Sequence, residues 1–351
     1  MNQHLEQWGL VPFFTQQILR DGIDPSALAR VVAVQRSQIL VACENGLRQV
    51  TLSSLLMRSE AIDRPTVGDW VLLDDTAQRI DAVLDRKSLF KRLAAGAEHQ
   101  AQPIAANIDT LFVVTSCNEE FKESRLERYL TVCDEAGAMP VIVLTKIDLT
   151  DDVESFVARA RTVQAGVPVE TANTLDPETL SGVRAWIDER STVALVGSSG
   201  VGKSSLLNTL AGDAVAATGE IRVDDKKGRH TTTHRELHKL PGGGLLIDVP
   251  GMRELKVLDI ESSIGAVFDD IEQRARDCRF ADCEHDGEPG CAVATAIDAG
   301  EIDARRLQSY RKLQRENTQA SATQAEKRAK GRDFARLVKE AKRIKSDRSH
   351  S

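Results

Sequence analysis

The chain has 351 residues, 41% of them hydrophobic and 28% charged, the make-up of an ordinary globular protein with room for two or three domains. No apolar run approaches a membrane span, and the first ten residues lack a secretion signal, so a cytoplasmic protein that meets no membrane is expected. The net charge of −7 is unevenly spread: residues 301–351 hold 15 Lys and Arg against 7 Asp and Glu, a basic tail suited to phosphates on an acidic body.

Residues 1–27 read as a short helix-prone lead containing Trp8, Phe13 and Phe14. Residues 28–100 change to short strands, Arg30–Val34, Gln38–Ala42, Arg48–Leu52 and Asp69–Leu73, with a hairpin turn at Asn45-Gly46. Strands this short with tight turns predict an all-β barrel of the oligonucleotide-binding type, serving either nucleic acid or architecture alone. Over residues 101–264, apolar runs alternate with helical stretches. The runs are Leu111–Val114, Val141–Leu144, Val193–Val196 and Leu245–Ile247, and the helical stretches include Ser124–Ala136 and Pro177–Glu189. That alternation predicts an α/β domain with a parallel sheet covered on both faces. Residues 265–351 hold a cysteine and histidine cluster and then a charged helical stretch; past the polar segment Asn317–Ala325, Lys327–Arg348 reads as a basic arm that orders on binding.

Gly197–Ser204 reads Gly-Ser-Ser-Gly-Val-Gly-Lys-Ser, the full phosphate-loop pattern, after a buried strand and before a helical segment. Its glycines let successive N–H groups turn toward phosphate oxygens. Lys203 is placed for the β- and γ-phosphates and Ser204 for Mg²⁺. Asp248-Val-Pro-Gly251 ends a second apolar run; the Asp248 carboxylate suits Mg²⁺ and the Gly251 N–H suits the γ-phosphate. Thr145-Lys-Ile-Asp148 ends a third. A carboxylate there accepts from guanine N1–H and N2–H₂, donors that adenine lacks on that edge, and Lys146 can lay its stem along the base. Gly228–His234, with three consecutive threonines, reads as a mobile switch or as a polar loop.

Of the six cysteines, Cys43, Cys117 and Cys133 are scattered, as small buried hydrophobes are. Cys278, Cys283 and Cys291 cluster around His285. Three cysteines and one histidine so closely spaced suit a tetrahedral structural Zn²⁺ with no position left for water.

The motif order is unusual, because Thr145–Asp148 precedes Gly197–Ser204, which precedes Asp248–Gly251. In ordinary small GTPases the phosphate loop comes first, so this order is a circular permutation. With a barrel before it, a Cys₃His set after it and the segment Gln102–Asp109, the chain resembles the ribosome small-subunit-dependent GTPase A family over about residues 28–300. The resemblance implies an N-terminal oligonucleotide-binding barrel, a permuted P-loop GTPase domain and a C-terminal α-helical zinc domain. It implies slow GTP hydrolysis accelerated by the small (30S) ribosomal subunit, binding to its rRNA and release of another assembly factor. A monomer is expected.

By position, the resemblance assigns Thr145, Lys146 and Asp148 to the guanine base. It assigns Gly197, Ser198, Ser199, Gly200, Val201, Gly202, Lys203, Ser204 and Ser205 to phosphates and Mg²⁺, and Cys278, Cys283, His285 and Cys291 to zinc. The family's guanine motif commonly begins with Asn, and the hydroxyl of Thr145 cannot repeat every amide contact. Thr171-Ala172 is the match for the element at the guanine carbonyl. Many GTPases follow the Asp-x-x-Gly motif with a water-orienting Gln; here Met252 stands there, which leaves His230 or His234 to orient water once the switch orders on RNA. The short link from Asp248 to the zinc region implies that GTP and subunit binding reinforce each other. The rival functions are an ATP-using P-loop enzyme, which Asp148 opposes, and a GTP-binding RNA scaffold with little turnover.

Overall fold

The computed structural model describes residues 3–35, 38–93, 101–212, 235–248 and 260–318. They fall into two compact units, residues 1–256 with 265–269, and residues 257–264 with 270–351. No helix among the described residues is long and apolar enough to cross a membrane.

The first unit opens with helices α1 (Gln3–Glu6) and α2 (Pro12–Asp21). They are more than a lead: Leu5, Leu10, Phe14 and Ile18 pack with Leu28, Trp70 and Leu84 in one buried cluster. Five strands follow, β1 (Leu28–Val34), β2 (Ile39–Cys43), β3 (Gly46–Leu52), β4 (Trp70–Leu73) and β5 (Arg79–Val83), with helix α3 (Ser54–Arg58) between β3 and β4. Their order is β1-β2-β3-β5-β4, and β4 pairs back on β1, which closes the barrel. The order is that of the oligonucleotide-binding type, and β4 covers β1 only over Leu28–Arg30, which leaves the edge of β1 at Ala33 and Val34 open to another strand. Val31, Val41, Val50, Val71 and Ile80 fill it. The fifth strand escaped the sequence reading because Arg79-Ile-Asp-Ala-Val83 is broken by two charged residues, with Ile80 its only fully buried residue.

A separate antiparallel pair follows, β6 (Leu89–Leu93) and β7 (Ala101–Ala106). Then come β8 (Thr110–Ser116), α4 (Glu123–Ala136), β9 (Met139–Thr145), α5 (Val153–Arg161), β10 (Val169–Ala172), α6 (Ser181–Arg184), β11 (Thr192–Val196), α7 (Lys203–Ala211), β12 (Arg235–Lys239) and β13 (Leu245–Asp248). The strands lie in the order β10-β9-β8-β11-β13-β12. The first five are parallel and β12 is antiparallel to β13. Phe112, Val143, Val193, Leu206, Leu210 and Leu246 share the core between this sheet and α7. Cys43, Cys117 and Cys133 are buried, and burial pushes the Cys117 thiol up to about 11, so it packs as an inert hydrophobe.

The helix expected over Pro177–Glu189 is much shorter. A 3₁₀ turn at Pro177–Leu180 leads into α6, which stops at Arg184. Its end is fixed by tertiary contacts: Trp186 Nε1 donates to Glu170 Oε1 at 2.9 Å, and a Cβ on Gly182 would lie 2.3 Å from Glu170 Oε2.

Two buried charges knit this unit together. Arg30 of β1 donates to the Trp8 carbonyl and, at 2.8 Å, to Thr192 Oγ1 at the start of β11. Asp69 is fully buried and takes a two-pronged pair from Arg86, both contacts at 2.9 Å. Barrel strand β1 also pairs with β12, Val34 opposite Arg235 and Ala33 opposite Glu236, which continues the α/β sheet into the barrel.

In the second unit, Asp269–Ala275, Ala292–Asp298 and residues 304–318 are helical, with Asp270 counted here and Asp269 in the first unit. Arg306 forks onto Asp270 at 2.7 and 2.8 Å, and Tyr310 Oη donates to Glu272 at 2.7 Å.

Candidate functional site

Parallel sheets bind ligands outside the carboxyl ends of their strands. The motifs sit there. Thr145 ends β9, Ala172 ends β10 and pairs with Thr145 in register, and Gly197 follows β11. Asp248 ends β13.

The phosphate loop leads straight into α7, whose first residue is Lys203. Gly200 and Gly202 take left-handed backbone, φ 79° and 93°, the geometry of an anion-cradling nest. A Cβ on Gly200 would meet nothing within 4 Å among the described residues. A Cβ on Gly197 would lie 2.2 Å from the Val114 carbonyl, so only glycine fits where β11 enters the loop. The ammonium of Lys203 donates to the Ser198 carbonyl within the loop. Ser204 is exposed.

The two motifs touch. The buried Thr145 hydroxyl lies 3.1 Å from the Thr115 carbonyl and also reaches the Val201 carbonyl of the phosphate loop. One hydroxyl has one proton to donate, so it serves one of these acceptors at a time. Lys146 follows with φ 57°, which turns the chain into the 3₁₀ turn Ile147–Leu149 and leaves the Asp148 carboxylate exposed. Thr209 Oγ1 donates to the Thr174 carbonyl at 2.7 Å, tying α7 to the loop after β10.

One contact escaped the motif reading. Arg125 near the start of α4 donates to Ser198 Oγ at 3.0 Å and to Glu120 at 2.9 Å. Arg125 holds the Glu120 carboxyl below the usual carboxylate range, with help from Lys122 and Lys146. Nothing in the sequence pattern of α4 separates Arg125 from an ordinary exposed arginine. His230, His234, Gly251 and Met252 lie outside the described residues, as do the Asp248 side chain and the basic arm beyond residue 318.

In the second unit, Cys278, Cys283, His285 and Cys291 bring four ligand atoms within 4.8 Å of one another. Cys278 Sγ and Cys291 Sγ are 4.0 Å apart, and they lie 3.6 and 3.4 Å from His285 Nδ1. Tetrahedral zinc with Zn–S bonds near 2.3 Å requires sulfur atoms about 3.8 Å apart, so the set fits the ion. His285 takes left-handed backbone at φ 61°, which turns its ring inward. Cys291 caps the helix Ala292–Asp298, its Sγ accepting from Ala294 N–H at 3.3 Å. The Glu288 carboxylate accepts from the N–H groups of Glu284 and Asp286 at 2.9 and 2.6 Å and closes the loop between ligands.

A phosphate loop beside a guanine-type motif, on a sheet whose Thr145 strand precedes its Gly197 strand in the chain, defines a circularly permuted P-loop GTPase. The RsgA GTPase family model matches residues 83–258, half of the chain. The chain therefore belongs to the RsgA GTPase family, and it is a GTPase. A small ribosomal subunit biogenesis GTPase RsgA 2 of Vibrio parahaemolyticus is 47% identical, with 99% of this chain and 95% of its own length aligned. A relative of the same name, RsgA, in Mesorhizobium japonicum is 43% identical, with 92% of each chain aligned. Among solved structures, YjeQ from Thermotoga maritima superimposes with a TM-score of 0.58 at 24% identity, over 82% of this chain and 96% of its own. YloQ, described as a circularly permuted GTPase, gives 0.56 at 24% identity, over 81% and 92%. These two likenesses show the fold.

Proposed function

We propose that this chain hydrolyses GTP in the biogenesis of the small ribosomal subunit, binding that subunit and its rRNA and turning over faster on it. The observation that carries the nucleotide reading is the Thr145 hydroxyl on the Val201 carbonyl, which joins the base-reading turn to the phosphate loop. In this reading Asp148 accepts from the guanine edge and Lys146 lies along the base. The backbone of Gly197–Ser204 surrounds the phosphates, and the α7 N-terminus adds positive potential. Lys203 exchanges its Ser198 carbonyl for phosphate oxygens when nucleotide enters. Ser204 and Asp248 would hold Mg²⁺, which would supply positive charge to offset the charge developing on the phosphates. His230 or His234 orients the attacking water. The subunit role rests on the family and on relatives aligned over nearly their full length. It agrees with a cytoplasmic, monomeric protein that also meets another assembly factor.

The test is hydrolysis of GTP and of ATP, each with and without purified small subunits. Slow GTP turnover that rises many-fold with subunits, and no ATP turnover, is the expected result. GTP turnover indifferent to subunits would remove the ribosomal role and keep the GTPase.

For the second unit we propose one structural Zn²⁺ on Cys278, Cys283, His285 and Cys291. The purified protein should carry one zinc per chain. Cys278→Ser should lose most of it and raise hydrogen exchange across residues 278–298, because the metal holds loop and helix cap together. Full zinc content in that variant would end this assignment.

A further inference from the structure

Five basic residues surround the junction between the barrel, the β6–β7 hairpin and the GTPase sheet, and their partners differ. Arg86 is paired with Asp69, Lys87 with Asp109 and Lys91 with Glu135. Arg92 and Arg235 are paired with no carboxylate among the described residues. Arg92, partly buried on β6, opposes Gln102 of β7. Its Nε is buried with no hydrogen-bond partner among the described residues. Arg235, also partly buried, is the first residue of β12 and, among the described residues, donates only to the Pro103 carbonyl, at a long 3.3 Å. Pro103 forms the rung next to Arg92, opposite Lys91, so the two guanidinium groups flank the same stretch of β7. Burial, and then the positive charge of Arg92, hold the Arg235 pKa below its ordinary value.

Two partly buried cations side by side, with no counter-charge among the described residues, cost stability. The natural complement of such a pair is a tetrahedral oxyanion, which guanidinium forks bind with two hydrogen bonds each. We infer that Arg92 and Arg235 form a binding site for a phosphate group, and that its occupant is a backbone phosphate of RNA. Barrel charge supports the occupant. Residues 28–83 hold six Arg, no Lys and seven Asp and Glu, so this barrel has no diffuse positive field with which to hold a polyanion. A fixed arginine pair at its seam supplies what the barrel lacks. Arg235 pairs with Val34 of barrel strand β1, so a phosphate held there touches the join between the barrel and the GTPase sheet. The RNA part of this inference rests on the small-subunit reading, whereas the phosphate part does not.

The experiment uses the full-length protein saturated with Mg·GDP, which fills the phosphate loop and removes it as a competing site. Inorganic phosphate is titrated at constant ionic strength and the unfolding temperature is followed for the wild type, Arg92→Gln and Arg235→Gln. Phosphate should raise the wild-type Tm by several degrees and leave both variants unmoved. Without phosphate, each variant should melt at or above the wild-type temperature, because removing one cation relieves the repulsion. A second arm measures small-subunit affinity against salt. Each variant should bind roughly tenfold more weakly, with the slope of log K against log salt reduced by about one. Phosphate protection that persists in both variants, or is absent from the wild type, overturns the site. Protection lost in the variants with unchanged subunit affinity overturns the RNA occupant and leaves a site for free phosphate. A wild type that does not bind subunits defeats the small-subunit reading, and the phosphate arm still decides the site.

Discussion

Asp148→Asn should cost this protein GDP and GTP affinity by about a hundredfold and should transfer preference to xanthine nucleotides. The carboxylate of Asp148 offers two acceptors, which match guanine N1–H and N2–H₂. Asparagine offers one acceptor and one donor, which leaves the N2 donors of guanine facing an N–H₂. Xanthine carries a carbonyl at position 2, so the same amide meets it with a donor and still accepts from N1–H. A mismatched pair in a closed site costs about 2–3 kcal/mol, on the order of a hundredfold in Kd. The geometry favours a clean result. The Asp148 side chain is exposed, so exchanging it leaves no buried group unpaired. The turn that carries it is set by the left-handed backbone of Lys146 and not by Asp148. The measurement is Kd for GDP and for XDP by calorimetry on both proteins. Unchanged GDP affinity in the variant would remove Asp148 from the base site.

The motifs of the candidate site were legible because each is local to a few residues. Glycines at 197, 200 and 202, a lysine at 203 and a carboxylate two residues past Lys146 are read directly from the chain. Their convergence was legible too, since each motif follows an apolar run that had to be a sheet strand. Thr145 shows where the reading stopped. Replacing Asn by the shorter hydroxyl suggested lost contacts, yet the Thr145 hydroxyl reaches the Val201 carbonyl because Thr145 is wholly buried against the loop. The substitution costs a donor, since one proton must serve two carbonyls. Arg125 was not legible at all. Its role depends on where the start of α4 falls relative to Ser198, and that is a tertiary fact.

Fold class could be read from periodicity, but the joins could not. Four barrel strands stood out by their Val and Leu content, whereas the fifth is found only by its place beside β4. The pairing of β1 with β12 joins residues some two hundred positions apart. No local pattern records it, because an edge strand offers the same unpaired backbone to any partner. The same holds for the short α6, whose end is decided by Glu170 on a neighbouring strand.

Arg86→Met should destabilise the first unit by about 3–5 kcal/mol, the cost of leaving a buried charge without its partner. Asp69 is fully buried, and Arg86 supplies two of its hydrogen bonds; the Thr66 N–H supplies a third at 2.8 Å. Arg86 also donates to the carbonyls of Ile62 and Arg64, at 2.8 and 2.9 Å, so the loop before β4 loses its anchor as well. Methionine keeps most of the side-chain volume, so the loss is electrostatic and not a cavity. The pH dependence identifies the cause. Even with Arg86 present, burial raises the Asp69 pKa above its ordinary value, against the pull of Arg86 and the Thr66 N–H. Removing Arg86 raises it further. A carboxyl whose folded pKa lies above the unfolded one binds its proton more tightly in the native state, so acid favours folding through that group. The deficit of Arg86→Met relative to wild type should therefore be largest at neutral pH. It should shrink as pH falls through the raised Asp69 pKa, where the orphaned carboxylate becomes a neutral acid. Asp69→Asn combined with Arg86→Met should recover part of the loss at neutral pH, since it removes the charge and not only its partner. Denaturant unfolding of the single and double variants across pH would measure this, and a deficit independent of pH would assign the loss to the carbonyl contacts of Arg86 instead of the ion pair.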